Sequence, residues 1–193
     1  YIQIEEEHPG PRCVKAALEF LEVNQNSDNW FLQLECFDPH EPFFVPDHYK
    51  EKLPESGYNG PVLDWPRYGP AEYAPEEVAE LRRNYHALVA MCDTHFGRLL
   101  DYLDRHEMWK DTAVIVTTDH GFLLGEHDWW GKNTPPYFEE ISHIPLMVHV
   151  PEGCELSPNS NHCVTQTHDL MPTFLDLHGL TIPKEVRGQS VLK

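Results

Sequence analysis

Four side chains in this sequence have types and neighbours that suit chemistry: Asp119, His120, Lys132 and His40. Asp119 and His120 lie in Thr118-Asp119-His120-Gly121, directly after the apolar, β-branched run Ala113-Val114-Ile115-Val116-Thr117. That run is short and lacks a helical stripe, so it reads as a buried strand. Open α/β sheets place ligand chemistry at the carboxyl ends of their strands. A carboxylate and an imidazole there are oxygen and nitrogen donors on a rigid support, which suits a metal ion, and the glycine lets the chain turn sharply. Lys132 follows twelve residues after His120, inside Gly125-Glu126-His127-Asp128-Trp129-Trp130-Gly131-Lys132. His40 sits in Phe37-Asp38-Pro39-His40-Glu41-Pro42-Phe43. The two prolines restrict its backbone and hold the ring at a defined place past a strand-like run. Each feature has a plainer reading alone: a helix cap, a solvated lysine, a surface histidine.

The elements that must position these groups are legible in outline. Val14, Ala17, Leu18 and Leu21 share one face of a helix over about Pro11 to Val23, and Pro11 suits its first turn. Trp30 to Phe37 reads as a strand. The longest helix spans Pro75 to about His106, with Val78, Leu81, Tyr85, Leu88, Cys92, Phe96, Leu99 and Leu103 on one stripe. Asp93 and His95 are expected on its polar face. Glu76 and Glu77 place acids at the positive end of its dipole. Strand, long crossover and strand make a parallel βαβ connection the natural expectation. Residues 136 to 142 suit a helical turn, 144 to 150 a further strand, and 164 to 179 a strand edge with a short helix stopped by Gly179. Residues from about 45 to 74 are rich in Pro, Gly, Tyr and Asp without periodicity and read as an ordered surface loop.

Composition narrows the function classes. The chain of 193 residues is long enough for one substantial core. Lys+Arg 14 against Asp+Glu 32 gives a net charge of −18, which argues against nucleic acid as a partner. It does not exclude an anionic ester. Exposed carboxylates beyond a Debye length of ~8 Å are largely screened. A cation about 4 Å from the anion is worth roughly 4 kcal/mol per unit charge at an effective dielectric near 20. No apolar run approaches a membrane span. Cys13, Cys36, Cys92, Cys154 and Cys163 show no CxxC or zinc-type spacing. Buried small hydrophobes are the expected roles for Cys36 and Cys92. A pairing of Cys154 with Cys163 across a polar loop stays open, and the odd thiol count tilts towards a reducing compartment.

Taken together, a strand, TDHG, LGEH, Trp, Gly-Lys, an acidic helix start and IPL before a second strand resemble the type I sulfatases of the alkaline phosphatase superfamily. FDPHEPF resembles the family's strand followed by a PHxP-like loop. Leu170-Met171-Pro172-Thr173-Phe174-Leu175-Asp176-Leu177-His178-Gly179, with Arg187 to Leu192, resembles its later segment. The resemblance implies an α/β fold with a mixed, mostly parallel sheet flanked by helices, truncated at both ends. The whole of 1–193 is then one partial sulfatase catalytic domain, with about 45–74 a variable surface insertion.

By matching motif, the resemblance makes Asp119 and His120 metal ligands. Lys132 would bridge sulfate and nucleophile, and His40 would hold ester oxygens and help protonate the leaving group. The implied cofactor is a divalent cation, Ca²⁺ first, with Mn²⁺ or Zn²⁺ open because an imidazole makes the site less purely hard. The implied partner is a small-molecule or saccharide sulfate ester. Alternatives are a phosphonate or phosphate ester hydrolase on the same scaffold, and a non-catalytic module that keeps the fold. The family's C/S-x-P-x-R nucleophile motif is absent from this chain, as is its early Asp-Asp pair. The opening YIQIEEEHPG reads as the middle of a protein, and the missing remainder of the catalytic domain is an expected partner. The 193 residues alone are therefore expected not to turn over sulfate esters. An aryl sulfate assay on the purified chain checks this, and detectable hydrolysis refutes it.

Overall fold

Helix α1 (Pro9–Asn24) begins with Pro9 and Pro11 in its first turn, where the missing N–H groups cost nothing, and buries Val14, Ala17 and Leu21. In the computed structural model, which describes residues 2, 4–133, 136–157 and 164–192, the later elements follow a simple order. Helix α2 (Asp47–Lys50) and the short strand β1 (Gly69–Pro70) precede helix α3 (Pro75–Arg105). Strands β2 (Val114–Thr117), β3 (Leu123–Leu124) and β4 (Trp129–Gly131) come next, then α4 (Glu139–Ser142), β5 (Leu146–His149) and α5 (Leu170–Leu177). The chain divides into two compact units. One runs to Arg105 and takes in His120–Ile144; the other comprises His106–Asp119 and the residues from Pro145 onward.

The first unit is built on α3. Its start is capped by the Glu77 carboxylate, which accepts the Ala74 N–H at 2.8 Å, so the acids expected at the dipole's positive end also satisfy a backbone donor. Leu81, Ala87, Leu88 and Met91 are fully buried against Phe43, Val45, Tyr49 and Trp130. The buried stripe includes Asn84 and His95, which differs from the expected polar placement of His95. Partners explain the difference. The Asn84 amide donates to the Leu63 carbonyl at 2.8 Å, and His95 Nε2 lies 2.7 Å from a Glu5 carboxylate oxygen. A polar side chain that finds a bond inside need not face water.

The 45–74 passage, expected as surface loop, also supplies core. Val45, Tyr49 and Pro66 are buried, and Leu53 and Leu63 pack against the cluster. A small antiparallel sheet in the order β1-β4-β3 was not legible in the sequence, because its strands are two or three residues long.

In the second unit β2 pairs antiparallel with β5, Val114 opposite His149 and Thr117 opposite Leu146. The α/β class holds, but the parallel pairing does not form: among the described residues every strand pair is antiparallel. Residues 30–37, with Trp30, Leu32 and Leu34 half-buried in alternation, are not assigned to a strand. An extended segment becomes a sheet strand only when a neighbour takes up its backbone groups. Helix α5 ends as expected at Gly179, whose φ of 64° suits a residue without Cβ and whose N–H donates to the Asp176 carbonyl. The pairing of Cys154 with Cys163 lies outside the described residues.

Truncating Leu88, fully buried in α3, is expected to cost about 2–5 kcal/mol, against less than about 0.5 kcal/mol for Val89→Ala on the exposed face. Urea denaturation of the two variants compares them directly.

Candidate active site

The His40 loop is tied down at both ends. At its start the Asp38 carboxylate accepts the Gly10 N–H of α1 at 3.0 Å; a Cβ on Gly10 would lie 2.9 Å from that oxygen, so a larger residue would shift the carboxylate. At its end Phe43 is buried and its N–H donates to the Asp64 carbonyl at 2.6 Å. The Asp38–Pro39 and Glu41–Pro42 peptide bonds are cis. Lys132 follows β4, which is anchored by the fully buried Trp130. Between them Gly131, at φ 114°, lets the Tyr68 ring approach so closely that a Cβ would lie 2.9 Å from it.

These constraints bring His40 and Lys132 together across 92 positions of sequence: Lys132 Nζ lies 2.7 Å from His40 Nε2. His40 Nδ1 lies 2.7 Å from the Glu41 carbonyl oxygen, which can only accept, so Nδ1 carries the proton. Nε2 then accepts from the Lys132 ammonium.

Sequence reasoning missed two members of this group. Glu41 is buried, and its carboxylate lies 3.4 Å from Lys132 Nζ and accepts a short hydrogen bond from the Tyr68 hydroxyl. Burial alone would raise the Glu41 pKa, but the Tyr68 hydroxyl, a backbone N–H and the charges of Lys132 and His40 outweigh it and hold the carboxyl below its ordinary value. Burial and the adjacent Glu41 push the Tyr68 phenol up, so it stays a donor. Phe122 walls the other side, its ring centroid 5.8 Å from Lys132 Nζ and 5.7 Å from that of Tyr68. An acid between His40 and Pro42 was a visible signal for Glu41. Nothing local marks Tyr68.

His120 opens the segment 120–144 of the same unit. Its Nδ1–H donates to the Gly121 carbonyl at 2.9 Å, which fixes the orientation of the ring. Gly121 donates its N–H to the Ile141 carbonyl at 2.8 Å, and a Cβ there would lie 1.8 Å from the Glu140 carbonyl oxygen. His127 stacks on Phe138 with centroids 3.8 Å apart and reaches Glu140 at 3.1 Å, a structural use of that ring. Asp119 closes the other unit, with the Thr118 hydroxyl donating to its Oδ1 at 3.3 Å. The structure thus joins His40 with Lys132, while Asp119 and His120 are joined by sequence. Among the described residues no group of three or more His, Cys, Asp or Glu side chains is arranged to hold a metal ion. A carboxylate and an imidazole alone do not complete a donor set, since calcium takes six to eight oxygens.

Comparison with known proteins gives the arrangement its context. The sulfatase family model matches residues 12–180. An N-acetylglucosamine-6-O-sulfatase of Bacteroides thetaiotaomicron is 35% identical over 109 residues, 56% of this chain and 19% of that protein. The solved phosphonate monoester hydrolase of Silicibacter pomeroyi aligns over 98% of this chain and 41% of its own, with TM-score 0.75 and 30% identity. A third relative, solved in complex with its substrate D-glucosamine-2-N,6-O-disulfate, aligns over 60% of this chain and 23% of its own, with TM-score 0.51 and 32% identity. The chain therefore spans less than half the length of each of these relatives.

The Glu41 pair generates a pH-dependent prediction. Because its folded pKa is depressed, its stabilisation is fully present above the ordinary value of 4.5 and is lost as pH falls through the native value. Removing one partner of a buried ion pair leaves the other uncompensated, so Glu41→Ala is expected to destabilise by about 3–5 kcal/mol near pH 7. Urea titrations from pH 7 down to strong acid should show the gap between wild type and variant narrowing.

Proposed function

The chain belongs to the sulfatase family, and on that premise we propose that it forms part of the catalytic domain of a metal-dependent sulfuric-ester hydrolase. The observation that supports this most is the 2.7 Å contact between Lys132 and His40. The sulfatase and alkaline phosphatase superfamily proteins are metal-dependent, and the proposed cation here is Ca²⁺, with Mn²⁺ or Zn²⁺ as alternatives. Asp119 and the Nε2 lone pair of His120 would hold it, together with donors from elsewhere; when bound, the cation supplies positive charge to the ester's oxygens.

The chain's own residues would do the following. Lys132 and His40 hold one proton between them, at Nζ or Nε2, facing the place where an ester oxygen would sit. As the ester bond breaks, that proton passes to the departing alcohol oxygen, a role worth ~10²–10⁴ in rate. The Glu41 carboxylate keeps Lys132 aimed while Tyr68 keeps Glu41 in place. Phe122 and the Tyr68 ring shield the Lys132 end of this pair. The proposed substrate is a saccharide or other small-molecule sulfate ester, a reading supported by the relative solved with a glucosamine disulfate.

A phosphonate ester is the second reading, favoured by the alignment of nearly the whole chain with a phosphonate monoester hydrolase. Turnover of an aryl sulfate and of an aryl phosphonate by the natural protein bearing these residues separates the two. The sulfate ester is expected to be the better substrate; a preference for the phosphonate overturns the first reading. His40→Ala and Lys132→Ala are each expected to lower kcat by ~10²–10⁴, and chelation of divalent cations to abolish turnover. Full activity in both variants removes the proposal's support.

A further inference from the structure

Three thiols from three separate elements converge away from the His40–Lys132 group. Cys13 lies on α1, Cys36 at the end of the extended run 30–37, and Cys92 on α3. Two bonds fix how the extended run lies along α1. Asp38 accepts from the Gly10 N–H, and the Cys13 thiol approaches the Glu35 carbonyl at 3.5 Å. Cys36 is thus held between Glu35 and Asp38, which both touch α1, with the Cys13 thiol on the carbonyl of the residue just before it. Cys36 is exposed as a residue and Cys13 partly so, which leaves the pair open to a small reagent.

From this geometry we infer that Cys13 and Cys36 form a redox-responsive pair. The pair closes to a disulfide by exchange with a small-molecule disulfide such as glutathione disulfide, and so staples α1 to the segment that delivers His40. The thiolate of one cysteine attacks the small disulfide and expels a small thiolate, which takes up a proton. The thiolate of the second attacks the protein sulfur of the mixed disulfide and expels the other small thiol. Two protein thiols are oxidised, and one small disulfide is reduced to two thiols. Burial, with Cys13 alongside, pushes the Cys36 thiol up to about 12, so closure is slow at neutral pH and accelerates as pH rises. Cys92 is the rival partner. Burial pushes its thiol up to about 12, and it lies close enough to interact electrostatically with Cys36.

The test is peptide mapping of the native chain after equilibration with glutathione disulfide. The expected result is a mass lowered by two hydrogens, a single cross-linked peptide pair joining Cys13 and Cys36, and loss of alkylation at both. Cys13→Ser and Cys36→Ser should each abolish the cross-link, Cys92→Ser should leave it intact, and amide exchange over residues 35–40 should slow in the oxidised form. A bridge from Cys36 to Cys92, a mixed disulfide that persists on either cysteine, or both thiols still alkylated after equilibration would overturn the inference. The wild-type map decides the matter even where a serine variant fails to fold.

Discussion

A buried carboxylate beside a buried ammonium is the constraint on which the candidate site depends. Glu41 and Lys132 are each largely withdrawn from water, and a charge so placed is costly unless a partner and further hydrogen bonds meet it. The Tyr68 hydroxyl and the two charges meet that demand for Glu41, while Glu41 and His40 meet it for Lys132. None of the four can move far without leaving another unpaired. That mutual dependence makes the Lys132–His40 contact a defined geometry.

The scaffold serves this group through close approaches at three glycines. Gly10 admits the Asp38 carboxylate, Gly131 admits the Tyr68 ring, and Gly121 lets the chain after His120 press against the backbone of α4. Behind them α3 presents a filled apolar face to Phe43 and Trp130, the residues that anchor the His40 loop and the strand leading to Lys132. The hydrophobic core thus acts on chemistry indirectly, by fixing where two loops end.

The parts legible in the sequence were those whose cause is local. The stripe of α3, the proline start of α1 and the glycine stop of α5 depend on neighbours within a turn or two, and they stand where expected. His95 was misplaced because its burial depends on Glu5, 90 positions away. Parallel pairing is absent among the described residues for the same kind of reason. An apolar run shows that a segment can be extended, whereas the direction and identity of its neighbour belong to the assembled chain.

By itself the sequence determined which donors exist and the short motifs that carry them: Asp119 and His120 after an apolar run, Lys132 after Gly131, and His40 between two prolines. It also determined the family those motifs resemble. Only the tertiary structure decided that His40 meets Lys132, that Glu41 is buried between them, and that Tyr68 completes the group. The division has a physical reason. Backbone periodicity and turn chemistry are properties of adjacent residues, whereas the charge state and aim of a buried side chain are set by partners that folding brings from far along the chain.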